Sequence, residues 1–122
     1  MGMIDQAGAV TLLRILYKYL DGMDTRIEAS RVALVALGFE LSEDDSCVQS
    51  TSSKVTDAGL ALLANLPSLT SLAVPKTHVT DAGLVHLANL LNLEFLNFFR
   101  TGVTDAGLIH LANLTSLTYL DI

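Results

Sequence analysis

The chain has 122 residues, 51% of them hydrophobic and 16% charged, and its formal net charge at pH 7 is −6. This composition excludes an intrinsically disordered chain, and the excess of acidic residues disfavours a nucleic-acid-binding protein. Because charged residues interrupt the most apolar stretch and Cys47 is the single cysteine, we expect a soluble cytoplasmic protein that neither spans a membrane nor forms an internal disulfide.

Two helices are predicted in the first part of the chain. Apolar residues recur at helical spacing over residues 4–20, and a second helix is expected to begin at Asp24 or Thr25 and to close at Gly38. We interpret residues 1–45 as an α-helical hairpin that caps the apolar end of the segment that follows. The alternative is a small adaptor domain that docks a partner of its own.

An acidic segment with Glu40, Glu43, Asp44 and Asp45 follows the two helices. We interpret it as a solvated linker. The alternative is a calcium site, but the acidic loop with a central glycine and a closing glutamate that defines an EF-hand is missing from the sequence.

A hexapeptide is repeated in the rest of the chain. Val-Thr-Asp-Ala-Gly-Leu begins at Val55, Val79 and Val103, so successive copies lie 24 residues apart. Over the 20 residues from each start, 12 positions are identical in all copies, which indicates a solenoid rather than a shared composition. The period predicts a degenerate repeat at 46–54, repeats at 55–78 and 79–102, and a truncated repeat at 103–122.

Each repeat is expected to contain a short helix and a strand. The threonine of the hexapeptide is suited to cap the helix, and the aspartate lies in its first turn, where the helix dipole favours an anion. Near the helix ends stand Asn65, Asn89 and Asn113, where the left-handed conformation that asparagine tolerates is expected. The spacing of Leu72 and Val74 then predicts a strand with one buried face, and a shift by one period places the first strand at Cys47-Val48-Gln49.

These repeats resemble the leucine-rich repeat family. The family pattern L-x-x-L-x-L-x-x-N-x-L is similar to Leu69, Leu72, Val74, Thr77 and Val79, and the hexapeptide most resembles the bacterial and cysteine-containing subclass. The resemblance implies an α/β solenoid with a curved parallel sheet on its concave side and helices on its convex side. It implies protein binding rather than a chemistry. Since threonine replaces the family's asparagine, a ladder of hydroxyl groups is expected between repeats.

No catalytic or metal site is predicted. The repeated aspartates have a structural reason at the helix starts, and His86 and His110 are interpreted as surface residues because packed helices lie too far apart to share a zinc ion. The sequence contains no nucleophile elbow, phosphate-binding loop or dinucleotide-binding motif. We therefore expect a protein that is not an enzyme and that holds no cofactor or metal.

The strand positions between the core leucines vary strongly among the repeats. They change from small to aromatic residues, and aromatic and arginine side chains are enriched at binding hot spots. The alternative is cross-strand packing that only stabilises the sheet. The residues expected to bind a protein partner on the concave face are Ser71, Ala73, Phe95, Asn97, Phe99, Arg100, Tyr119 and Asp121.

The last repeat lacks a successor in the sequence. Its apolar side chains and its strand edge are expected to stay uncovered, and uncovered strand edges recruit other chains. Either the chain is a fragment of a longer solenoid or another molecule covers this end. The residues expected to support self-association are Leu108, Leu117, Leu120 and Ile122.

The sequence therefore favours a non-catalytic protein-interaction module that binds its partner on the concave face of a short arc of repeats. One alternative is a structural protein that assembles into a homo-oligomer, as a dimer or a filament, through its last repeat. The other is an adaptor in which the N-terminal helices dock one partner and the repeats another.

Overall fold

The computed structural model describes residues 6–20 and 25–122. Helix α1 (Gln6–Leu20) and helix α2 (Thr25–Ala36) form the predicted helical segment. Residues 4 and 5 and the predicted cap at Asp24 lie outside the described residues. After α2, Gly38 adopts a φ of 95°, which glycine tolerates because it has no Cβ. No helix in the described part of the chain is long and apolar enough to cross a membrane.

The fold is α/β, with an open five-stranded mixed sheet in the order β1-β2-β3-β4-β5. Strand β1 runs antiparallel to β2, whereas β2, β3, β4 and β5 are parallel neighbours. The strands are short: β1 (Glu40–Leu41), β2 (Cys47–Gln49), β3 (Ser71–Ala73), β4 (Phe95–Asn97) and β5 (Tyr119–Asp121). The strand predicted at Cys47–Gln49 is thus confirmed. The antiparallel β1 was not predicted and makes the sheet mixed instead of parallel.

A helical segment connects each parallel strand to the next. These segments are α3 (Asp57–Leu63), α4 (Asp81–Leu84) with the 3-10 helix Val85–Leu87, and the 3-10 helix Asp105–Leu111. The short helix predicted to begin within each hexapeptide is therefore present. The helical segment of the second repeat ends in a turn of 3-10 helix, and the helical segment of the third repeat consists entirely of 3-10 helix.

The core lies between the strands and the helical segments. In each parallel strand the central residue is apolar, and the register places Val48, Leu72, Leu96 and Leu120 in one row across the sheet. The first three of these side chains are buried, because leucines of the helical segments cover them. The buried leucines opposite the strands are Leu60, Leu63, Leu66, Leu84, Leu87, Leu90, Leu111 and Leu114.

Two local predictions about the repeats are wrong. The left-handed residues are Lys76 (φ 60°) and Arg100 (φ 57°), just after the strands, and not the asparagine at the helix end. Asn65 instead donates a hydrogen bond from its side-chain amide to the Ser30 hydroxyl at 3.0 Å, which ties the first helix of the repeats to α2. The Thr77 hydroxyl donates to the carbonyl oxygen of Val74 in its own repeat (2.7 Å), so it does not form a ladder between repeats.

The interpretation of the acidic segment as a solvated linker is also wrong in part. Asp45 is buried and ion-paired with the buried Arg31, which additionally donates to the carbonyl oxygen of Ser42 at 3.1 Å. Burial and the nearby Arg14 lower the pKa of the Arg31 guanidinium, and the opposite charge of Glu28 counteracts this shift. The segment therefore fastens α2 to the sheet, which local sequence patterns do not reveal.

Candidate functional site

The parallel strands present one face to the core and the other away from it. In β3 and β4 the central residue is buried, and the residues on either side are only partly buried. Because successive side chains of a strand point to opposite faces, these flanking residues share one surface. We call this surface the outer strand face. Over β3, β4 and β5 its residues are Ser71, Ala73, Phe95, Asn97, Tyr119 and Asp121.

The register of β4 and β5 brings Phe95 and Tyr119 side by side. Their ring centroids lie 4.4 Å apart with an angle of 4° between the ring planes, so the rings are stacked. Tyr119 remains 46% exposed. The stack is a cross-strand contact of the kind that stabilises a sheet, and it also leaves aromatic surface open on the outer strand face.

A second aromatic cluster lies at the carboxyl end of β4. The Arg100 guanidinium lies 5.4 Å from the centroid of the Phe99 ring, within the range of a cation–π contact. The Phe99 backbone N–H donates to the Asn97 side-chain oxygen at 2.9 Å, which fixes this amide. Both Phe99 and Arg100 are exposed. Within the described residues, no ring contact joins this cluster to the Phe95–Tyr119 stack.

The small side chains of β3 border open space that extends toward β2 and β1. Two adjoining hollows, of about 320 and 270 Å³, lie over β1, β2 and β3, and both are lined by Glu40, Gln49 and Ala73. The predicted residue Ser71 lines the larger hollow, and Pro75 lines the smaller one. Sequence reasoning missed Glu40 and Gln49. The repeat period identified β2, but nothing in the repeats signals that β1 folds back onto it.

The residues predicted to support self-association lie around β5 and the last helical segment. Leu120 is 38% exposed and Ile122 is 40% exposed, whereas Leu108 and Leu117 are partly buried against the core. Among the described strands, β5 pairs with β4 alone. The exposed apolar surface at this end also includes Ile109, which is 75% exposed.

The aspartates of the hexapeptide link neighbouring repeats. The Thr80 backbone N–H donates to Asp57 Oδ1 at 2.7 Å, and the Thr80 hydroxyl donates to Asp57 Oδ2 at 2.5 Å. Asp81 accepts the same two hydrogen bonds from Thr104, at 2.7 and 2.6 Å. These hydrogen bonds lower the pKa of the Asp81 carboxyl. The carboxylates are thus engaged in holding repeats together.

This arrangement corrects the predicted role of the hexapeptide threonines. The hydroxyl of Thr104 accepts a hydrogen bond from the Ala106 N–H, but the hydroxyls of Thr56 and Thr80 make no cap.

The contact between neighbouring repeats also explains the glycine of the hexapeptide. A Cβ at Gly83 would collide with the Asp57 carboxylate, so glycine is needed where the helix approaches the preceding repeat.

In the described part of the chain, no three His, Cys, Asp or Glu side chains lie close enough to hold a metal ion. The Asp44 carboxylate accepts hydrogen bonds from Ser46 and Ser42, which lower its pKa to about 2.

Comparison with models of known protein families gives no match, and comparison with curated protein sequences gives none either.

Proposed function

We propose that this protein is a non-catalytic interaction module, a short solenoid of the leucine-rich repeat type whose outer strand face binds another protein. One observation carries the proposal. The core position of the strands is leucine at 72, 96 and 120, while the preceding position on the outer strand face changes from Ser71 to Phe95 and Tyr119. Packing accounts for the constant leucines, and a partner accounts for the partly buried Phe95 and the exposed Tyr119 next to them.

The recurrence of hydrogen bonds between repeats supports the solenoid interpretation. The Thr70 N–H donates to the carbonyl oxygen of Ser46, the Glu94 N–H to that of Thr70, and the Thr118 N–H to that of Glu94, each at 2.8 Å. These residues are successive members of one position in the 24-residue period. Each unit buries its leucines against its neighbours, as stacked repeats do.

The chemistry of the outer strand face supports binding over catalysis. Its side chains are aromatic, amide, small or acidic, and two of the hexapeptide aspartates, Asp57 and Asp81, accept hydrogen bonds from threonines. We further propose a cytoplasmic location, because the chain has a single cysteine and does not depend on disulfides.

Binding through the outer strand face is tested by comparing variants in cross-linking and capture experiments. Phe95→Ala combined with Tyr119→Ala should reduce partner recovery at least 10-fold, because truncating a buried aromatic hot spot costs ~2 kcal/mol or more. Ile109→Ala, which truncates an exposed apolar side chain on a helical segment away from the outer strand face, is the control. Thermal melts establish that both proteins remain folded. Unchanged recovery with the double variant would contradict the proposal.

Self-association is the second candidate function, and the exposure of Leu120 and Ile122 beside the edge strand β5 favours it. A charge introduced by Leu120→Lys should then dissociate the oligomer, since a desolvated lysine is costly in an apolar interface. Analytical ultracentrifugation distinguishes the outcomes. A wild-type monomer at high micromolar concentration would rule this function out.

An adaptor role is favoured by the apolar surface of the N-terminal helices. Val10, Leu13 and Leu16 of α1 and Val35 of α2 are all exposed. If these helices dock a separate partner, Leu13→Ser should abolish one interaction and leave binding through the outer strand face intact. Loss of both interactions, or of neither, would exclude an adaptor with two independent surfaces.

A further inference from the structure

A groove follows strand β3 on the outer strand face. Its floor consists of Ser71, Ala73 and Pro75, which are small or compact. Gln49 of β2 lines both hollows, and Phe95 of β4 lies next to Ser71 in the strand register. We call this feature the β3 groove. Adjacent strands lie ~4.8 Å apart, so the backbones of β2 and β4 are separated by ~10 Å. That width accommodates a single extended peptide lying above the small side chains.

One side of the β3 groove is negatively charged. Glu40 is exposed and lines both hollows, and its Oε2 accepts a hydrogen bond from the Gln49 side-chain amide at 3.2 Å. Within the described part of the chain, Glu40 forms no ion pair. A carboxylate with only a neutral donor beside it binds an added cation more strongly than one that is already paired, because charge-assisted hydrogen bonds are the stronger kind.

The far end of the β3 groove is positively charged. Lys76 follows Pro75 directly, and Arg100 occupies the equivalent position after β4. Both are exposed in the left-handed conformation, and the Arg100 guanidinium is held over the Phe99 ring. Neither forms an ion pair with the described residues. An anionic group arriving at this end therefore meets two unpaired cations.

We propose that the β3 groove binds an extended segment of the partner protein in which a basic side chain contacts Glu40 and an acidic group contacts Lys76 and Arg100. The proposal rests on the proposed function and adds the chemistry of the partner. Glu40 pairs with Gln49, and Gln49 pairs with Ala73, so Glu40 lies two strands across the sheet from Ala73 at the same level of the groove. Lys76 follows Ala73 by three residues, which is at most ~10 Å along the chain. The basic and acidic residues of the segment should accordingly be separated by about two to four positions.

Selection from a random heptapeptide library displayed on phage tests this proposal. Peptides enriched on the wild-type protein should carry a basic and an acidic residue two to four positions apart. Selection on Glu40→Gln should lose the preference for the basic residue, and selection on the double variant Lys76→Gln/Arg100→Gln should lose that for the acidic residue. The matched controls are Glu43→Gln and Lys54→Gln, which remove exposed charges that do not line the hollows.

Competition and affinity measurements complete the test. A synthetic peptide from the selection should bind the wild type at least 10-fold more tightly than Ala73→Trp, which fills the groove, and thermal melts should show that each variant folds. Enriched peptides that lack the charge pattern, but need Phe95, would overturn this inference and leave the proposed function standing. If peptides are enriched on the wild-type protein no more than on Ala73→Trp, both this inference and the proposed function are overturned.

Discussion

Replacing Leu96 with alanine tests the packing of the repeats most sharply. Leu96 lies in the middle of β4, is 0% exposed, and pairs with Leu72 on one side and Leu120 on the other. The substitution removes about three methylene equivalents at ~0.8 kcal/mol each, or ~2.4 kcal/mol of transfer free energy. The cavity left between the sheet and the helical segments raises the expected cost in unfolding free energy to ~3–5 kcal/mol.

The chain contains its own control for this prediction. Leu120 occupies the same position of the repeat but is 38% exposed, so Leu120→Ala should cost only ~1–2 kcal/mol, because less apolar surface leaves the core. Urea denaturation followed by far-UV circular dichroism measures both values. Equal costs for the two substitutions, or an unchanged midpoint for Leu96→Ala, would refute the strand register described above.

Three further predictions concern contacts between neighbouring elements. Gly83→Ala should destabilise the fold by ~1–3 kcal/mol in urea melts although alanine favours helices, because the new Cβ displaces Asp57; a stabilised variant would contradict that contact. Hydrogen bonds lower the pKa of Asp81 in the folded protein. The ionised carboxylate therefore adds to folding stability at pH values above the pKa of Asp81 in the unfolded chain, and this stability is lost as the pH falls through the lowered pKa of the folded state. The wild type should therefore lose more stability than Asp81→Asn between about pH 5 and about pH 2, and parallel losses would exclude the effect. Arg31→Ala should cost ~3 kcal/mol by leaving Asp45 buried without its cation, and adding Asp45→Ala should recover part of this loss; purely additive costs in a double-mutant cycle would argue against the pair.

Much of the sheet could be predicted from the sequence because its period is regular. A shift by 24 residues from Leu72 identifies Val48 as the core residue of a strand whose sequence otherwise shows little resemblance to the repeats. The same frame separates core leucines from outer residues and so identifies Phe95 and Tyr119 as neighbours. Position within a repeat determines which strand partner each of these residues has and which side of the sheet it faces.

Features that depend on contacts between distant segments could not be predicted in this way. The hexapeptide aspartates were assigned to helix dipoles, but the carboxylates of Asp57 and Asp81 each accept hydrogen bonds from a threonine 23 residues later. The acidic segment contains β1 and the buried Asp45, whose partner Arg31 lies on a helix with an ordinary sequence pattern. Glu40 and Gln49 were missed for the same reason, since the antiparallel pairing of β1 with β2 creates their side of the β3 groove.

A nuclear magnetic resonance titration tests the central claim most directly. Isotope-labelled protein is titrated with a peptide obtained from the heptapeptide selection, and the backbone amide shifts are followed. Binding through the outer strand face predicts the largest changes at Ala73, Phe95, Asn97 and Tyr119, with small changes along α3 and α4. Shift changes concentrated on the helical segments, with the strand residues unaffected, would contradict the claim.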